Sequence, residues 1–454
     1  MDPRHLDLAA FEDSRVWTVD QMNMRQATIV DPNQNTAYTV PAIALSMVVF
    51  AYSVNFGPLS ILALYACWLL PFVIAPRVLI GRFGPVLLLL TVPFFFALSL
   101  LWSDVPATTL RSAIQYGITF FAGLVAARIT SMANLALGGT IGGLLVLLYS
   151  AVNGGYSYDY IDGDFAFNGA FSSKNQLGYF ATLSILFSLS LVWIFQSQRA
   201  LQPLAFLTAG AGLIMLWMSD SATSLLSAFA AFAAIMFMGV VLMLAPWLRR
   251  AAVFLVLMGS VAMGFASYRL GAFDAVLAAF GKDSSLTGRT YLWSEALEFG
   301  EQQPVLGLGY NAFWSHGRPA AELLWEEFYI TARTGFHFHN LLIETYVGTG
   351  LIGLALVGGL CLLLFVMPLS AALGRGRAGS LILLSGLAIL FLVRSAAEVD
   401  FITPHTAGTF LVAFVLLRLF DHNHNHSVRH VTDMSRPMRR LRHPSLGTLS
   451  GVVQ

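Results

Sequence analysis

Long apolar runs separated by short polar stretches recur along the chain from about residue 39 to about residue 420. Runs of roughly 17–25 such residues cross a bilayer as helices. The pattern predicts about twelve of them, over 39–55, 57–75, 83–102, 109–127, 132–152, 174–196, 202–218, 221–244, 251–272, 338–368, 379–397 and 406–420. Little polar sequence separates the first pair, or the pair within 202–244. Unpaired backbone groups are costly in lipid, so runs this continuous read as helices. The expected fold is an all-α polytopic membrane protein. Residues 1–38 are expected to form a cytoplasmic N-terminal segment, 39–420 the transmembrane domain, and 421–454 a cytoplasmic, disordered tail.

Arginines set the orientation. Arg77 and Arg82, Arg128, Arg199, Arg249 and Arg250, and Arg375 and Arg377 fall in alternate loops, and Arg429, Arg436, Arg439, Arg440 and Arg442 follow the last span. With both ends inside, all of these lie on the cytoplasmic face, as the positive-inside rule requires. The outer face then holds "SDVPAT", the acidic "YSYDYIDGDFAFNG", one large loop over about 273–337, and "EVDFITPH".

Composition agrees. Hydrophobic residues make up 57% of the chain and charged residues 11%, and the mean hydropathy is +0.71. A soluble domain carries roughly a quarter charged residues, so there is too little charge here to cover a water-facing surface. A net charge of +1 gives no reason to expect nucleic acid as a partner. Cys67 and Cys361 lie in apolar runs and read as small buried hydrophobes, with no disulfide framework or zinc pattern. The first residues lack the basic-then-apolar pattern of a cleavable signal, which leaves targeting to the spans.

The candidate chemistry gathers on the outer face. "TGRTYLWSEALEFGEQQP" has apolar Leu292, Ala296, Leu297 and Phe299 near helical spacing, and Pro304 ends the helix. Arg289 opens that helix beside free backbone N–H groups, a place suited to holding a phosphate. Lys174 opens a span, and Arg394 lies near the outer end of another. Each also reads as a snorkelling end residue; together with Arg289 they would make a cationic site for a lipid-linked diphosphate. "GFHFHNLLIE" brings His337, His339, Asn340 and Glu344 to the same surface. A neutral imidazole suits a general base near neutral pH, and a simple interfacial anchor is the plainer reading. Asn340 and Glu344 share a helix face, and Glu344 requires a polar cavity or a partner such as arginine. Trp314, Trp325, Phe328 and Tyr329 could stack on sugars or form an interfacial helix. Asp159, Asp162 and Asp164 suit a divalent cation or a solvated loop, and "HNHNH", His422 to His426, reads as polar tail.

Taken together, "GRTYLWSEAL", "PVLGLGYNAF" and "HNLLIETYVGTGLIGLAL" resemble the shared core of the O-antigen ligase and Wzy-type polysaccharide polymerase superfamily. "GAFSSKNQLGYF", "SDSATSLL" and "RSAAEVDF" look most like its exopolysaccharide-polymerase branch, and the resemblance covers about residues 165–410. It implies a GT-C-type glycosyltransferase of the bacterial inner membrane with a periplasmic site and no metal or other cofactor. The implied partners are an undecaprenyl-diphosphate-linked glycan donor, a lipid-linked glycan acceptor and membrane lipids, with a chain-length regulator as a further candidate. Carried onto this sequence, Arg289 would bind the donor diphosphate and His339 would be the base, with His337 able to share that role. Asn340 and Glu344 would support the site, Lys174, Asn175 and Arg394 would line it, and Glu398 would orient a cation or the sugar. Many relatives place a basic residue in or beside a Ser-x-Ser-x-Thr stretch; here Asp220 and Ala222 stand between Ser219, Ser221 and Thr223. The implied reaction is inverting polymerisation of repeat units. Transfer to a lipid-A core, as by a ligase, differs only in acceptor, and a transporter of lipid-linked sugars is the reading from another class. Transporters usually show related halves and midplane ionisable groups; neither is evident here.

Overall fold

Each apolar run forms a helix, all but the last close to the expected bounds, in the computed structural model, which describes residues 29–80, 82–159, 164–196, 199–270, 288–374 and 379–435. In chain order these are α1 (Thr36–Phe56), α2 (Pro58–Ile74), α3 (Phe83–Leu98), α4 (Pro106–Ile129) and α5 (Met132–Asn153). An antiparallel hairpin follows, β1 (Gly155–Asp159) with β2 (Asp164–Gly169). The bundle continues with α6 (Lys174–Trp193), α7 (Gln202–Met218), α8 (Ala222–Met243) and α9 (Pro246–Leu270). Two outer-loop helices, α10 (Arg289–Gln302) and α11 (Pro319–Glu327), precede α12 (Leu341–Ala372), α13 (Gly379–Ser395) and α14 (Ala407–Ser435). Among the described residues, nine helices are long and apolar enough to cross a membrane, and α2 and α13 are shorter apolar helices. The first turns of α14 are apolar and packed inside the bundle. Every residue from Ala407 to Leu417 is buried, as expected of a helix that is apolar all round. α14 continues to Ser435, past the boundary expected at 420.

Neighbouring helices pack along their small-residue faces. α1 lies along α5, α5 along α6, α6 along α7, α8 along α13 and α4 along α14. Gly138 and Gly142 of α5 let α1 approach so closely that an added Cβ would lie 2.7 Å from Ile43 or Met47. In lipid, close van der Waals packing of this kind drives helix association. Polar contacts separate the two ends of the bundle. Asp421 of α14 pairs with Arg82 and Arg128, and Arg249 donates to the Gly374 carbonyl, so loops expected on one face meet there. At the opposite end, Asp104 pairs with Arg318 and Ser112 accepts from Asn311.

One run that looks continuous in sequence is broken. α12 kinks at Gly350 (φ 62°, ψ −164°), and residues 304–309 dock into the break. Leu308 and Gly309 donate to the Val347 and Gly348 carbonyls at 3.0 and 2.8 Å, and Leu351 donates to the Pro304 carbonyl at 2.8 Å. Irregular backbone survives at this depth because the docked segment satisfies the freed groups. Gly307 must lack a side chain, since a Cβ there would lie 2.5 Å from the Gly350 amide nitrogen. The outer loop thus hangs from α12 on one side. On the other it has its own core of Leu292, Ala296, Phe313, Trp325 and Phe338.

Candidate active site

The loop after α13 brings the carboxylate of Glu398 to the outer end of the bundle, where it is 7% exposed. Its amide donates to the Arg394 carbonyl at 2.7 Å, continuing the last turn of the helix. Four side chains from three other elements converge on it. Asn175, in the first turn of α6, donates to Oε1 at 2.7 Å. Arg289, the first residue of α10, stands 3.8 Å from Oε1 and donates to the Ala397 carbonyl at 3.3 Å. His339 Nδ1 lies 3.8 Å from Oε1 and His337 Nε2 lies 3.7 Å from Oε2. Burial alone would raise the Glu398 carboxyl, but His339, His337 and Arg394 outweigh it and hold it below the usual carboxylate range.

The two imidazoles are distinguishable. The His339 backbone occupies the left-handed region (φ 53°), which folds its amide back onto His337 Nδ1 at 3.1 Å. That nitrogen must accept, so the neutral ring carries its proton on Nε2, facing Glu398. Burial first, and the neighbouring His339 next, push His337 down to about 3, so it is neutral at ordinary pH. His337 has no lone pair left over. The His339 ring turns its Nδ1 toward Glu398.

The turn that carries both histidines is clamped at Phe338, whose ring is fully buried. Its N–H donates to Glu344 Oε2 at 2.8 Å, and its carbonyl accepts from the Trp293 indole at 2.8 Å. The other Glu344 oxygen accepts from the Trp314 indole at 3.1 Å. Glu344 therefore meets a backbone amide and an indole rather than an arginine, and it holds the histidine turn from behind. Asn340 caps α12, its Oδ1 accepting from Leu342 and Ile343 at 3.0 and 3.2 Å, and its amide reaches the Ala396 carbonyl at 3.3 Å.

Arg394 is 1% exposed. It forms a two-pronged pair with Asp400, its guanidinium stacks 4.4 Å from the Tyr179 ring centroid, and it donates to Ser224 Oγ at 3.4 Å. Its charge is thus engaged inside the bundle, behind Glu398. Lys174 begins α6, half-buried, directly before Asn175. The "SDSATS" stretch reaches the site through hydrogen bonds. Ser221, the N-cap of α8, donates to Asn175 Oδ1 at 2.7 Å, and Ser224 donates to the Asn175 carbonyl at 3.2 Å. Asp400, Tyr179, Trp293, Ser221 and Ser224 were not singled out from sequence for these roles. A serine directly before an apolar run is an N-cap signal that could have marked Ser221.

Among the aromatics, Trp325 is 1% exposed and belongs to the loop core, where Trp314 also packs, whereas Tyr329 is 66% exposed. Asp162 lies outside the described residues, as do the side chains of Asp159 and Asp164.

His337, His339 and Glu398 each offer a ligand atom, all within 4.8 Å of one another, which is the donor count of a two-histidine, one-carboxylate metal site. The polarity does not fit. A metal-bound imidazole donates from its other nitrogen, whereas the second nitrogen of His337 accepts an amide proton.

A helical membrane bundle with an acid–base cluster at one end, roofed by a loop hung from a broken helix, is the class of protein these features define. A family profile described as O-Antigen ligase matches residues 204–358, which take in Arg289, both histidines, Asn340 and Glu344. The chain is also 39% identical over 404 residues to the exopolysaccharide production protein ExoQ of Rhizobium meliloti (strain 1021), across 88% of this chain and 92% of that protein. The chain belongs to the O-antigen ligase family, on the exopolysaccharide-production side of it.

Proposed function

We propose that the protein is an inverting glycosyltransferase that polymerises undecaprenyl-diphosphate-linked oligosaccharide repeat units at the periplasmic face of the inner membrane. The observation that supports this most is the convergence of Arg289, His337 and His339 on Glu398, at 3.7–3.8 Å, on the end of the bundle expected to face outward. The relative's role in exopolysaccharide production points the same way.

In the reaction, an acceptor hydroxyl attacks the anomeric carbon of the donor sugar from the side opposite the diphosphate. The carbon–oxygen bond to the diphosphate breaks, its electron pair leaves with undecaprenyl diphosphate, and the configuration inverts. The hydroxyl proton passes to His339 Nε2, and Glu398 stabilises the imidazolium through Nδ1–H. Arg289, with Lys174 on the same rim, stabilises the charge that develops on the leaving diphosphate. His337 supports the His339 turn, and Asn175 holds Glu398. Because His337 is wired to accept rather than to ligate, this chemistry runs without a metal.

Protein reconstituted in nanodiscs with a lipid-diphosphate-linked repeat unit as sole substrate, in excess EDTA, should produce a ladder of longer lipid-linked glycans. Activity that returns only when divalent cation is restored contradicts the metal-free mechanism. Transfer only after a lipid-A core is added makes the protein a ligase. Movement of substrate across vesicles with no new glycosidic bond makes it a transporter.

A further inference from the structure

The loop that carries Glu398 ends at a second polar cluster. The Tyr65 hydroxyl of α2 meets Thr119 Oγ1 of α4 at 2.6 Å and also His405 Nδ1, and the His405 amide donates to Thr119 at 3.3 Å. Beside it, an apolar groove of about 390 Å³ opens between three helices. Leu69 of α2, Leu90 and Phe94 of α3, and Ile118 and Phe121 of α4 line it, with Gly117 as its floor. Arg111 lies six residues before Gly117 on α4, roughly 9 Å of helix rise toward the outer end. It is exposed and, among the described residues, makes no ion pair or hydrogen bond. Arg111, Gln115 and Ile118 follow the spacing that shares one helix face. A cation at headgroup level over an apolar slot matches one phosphate on one hydrocarbon chain.

We propose that this groove binds the polyprenyl tail of the acceptor, the second lipid-linked glycan, with Arg111 on its phosphate. The assignment rests on the polymerase reading, in which two lipid-linked substrates are bound at once. The donor breaks its bond to diphosphate, so the donor diphosphate must sit at the reacting cluster. The acceptor attacks through a sugar hydroxyl remote from its own diphosphate, so its phosphate must be held away from Glu398. The buried contacts between the clusters provide that separation: Tyr310 donates to the Ile402 carbonyl at 2.6 Å and Tyr116 to the Phe401 carbonyl at 3.4 Å.

Undecaprenyl phosphate, which cannot transfer a sugar, is the probe, with bound copies counted by native mass spectrometry in nanodiscs. The variants are Arg111→Ala, Gly117→Leu and Arg289→Ala. A Cβ at Gly117 meets only Pro93 Cβ, at 3.8 Å, so leucine there fills the groove without a backbone clash. Wild type should bind two copies. Arg111→Ala and Gly117→Leu should each lose one, with the second affinity at least about tenfold weaker. Two copies at wild-type affinity in both groove variants overturn the proposal. So does displacement of the groove copy by excess phosphatidylglycerol, which would mark a general phospholipid slot. If Arg289→Ala keeps both copies while Arg111→Ala loses one, the groove assignment stands and the donor role of Arg289 falls instead.

Discussion

Glu344→Gln isolates the device that holds the histidine turn. The carboxyl accepts from the Phe338 amide at 2.8 Å and from the Trp314 indole at 3.1 Å, one donor on each oxygen. Glutamine has one acceptor oxygen, so one of these donors must face an NH2 group. Leaving a buried donor unsatisfied costs about 1–3 kcal/mol. The His339 backbone is itself in a left-handed conformation (φ 53°), which costs a residue with a Cβ roughly 1–2 kcal/mol and persists only while the surroundings enforce it. If the whole penalty falls on the reacting geometry, kcat drops roughly 5- to 150-fold. Arg289 lies on another element, so KM for the donor should hold. The assay is initial-rate polymerisation at varied donor concentration, with a thermal melt of the same sample to establish that the protein is folded. Wild-type kcat in a folded Glu344→Gln protein refutes the argument, and a rise in KM alone would move Glu344 to substrate binding.

Breaking the buried Arg394–Asp400 pair from one side, as in Asp400→Ala, should destabilise the protein by about 3–5 kcal/mol, seen as a lower melting temperature. Replacing both, Arg394→Met with Asp400→Leu, should recover most of that loss, because no charge is left unpaired. Ser221→Ala removes the α8 cap and the bond that holds Asn175 against Glu398, and should cost about 1 kcal/mol of stability and roughly fivefold in kcat. Ser221→Thr, which keeps the hydroxyl, should restore both; failure of that rescue would show that Asn175 is held some other way.

The spans were legible because lipid leaves the backbone few options, and composition and run length carry that signal directly. The α10 helix was legible too: Leu292 and Ala296 face the loop core, and the helix ends just before Pro304. The break in α12 was not, since "VGTGLIG" holds no charge or proline and only the docking of residues 304–309 gives its freed carbonyls a partner. The hairpin was hidden in an acidic stretch, although "YSYD" and "DFAFNG" alternate with the period of strands. At the site, sequence drew attention to ionisable residues but not to their directions. Arg394 turns inward because Asp400 lies six residues on, across the helix end. Glu344 turns toward backbone because the left-handed step at His339 presents the Phe338 amide to it. Such pairings depend on local chain reversals, which hydropathy does not encode.

Single-turnover glycosyl transfer by His339→Ala beside His337→Ala tests the central claim most directly. The account predicts that His339→Ala loses about 10²–10⁴-fold in the chemical step, the range of a general base, while His337→Ala, which only takes the acceptor from the His339 amide, loses less. Wild-type transfer by a folded His339→Ala protein, or the reverse ranking of the two variants, would contradict it.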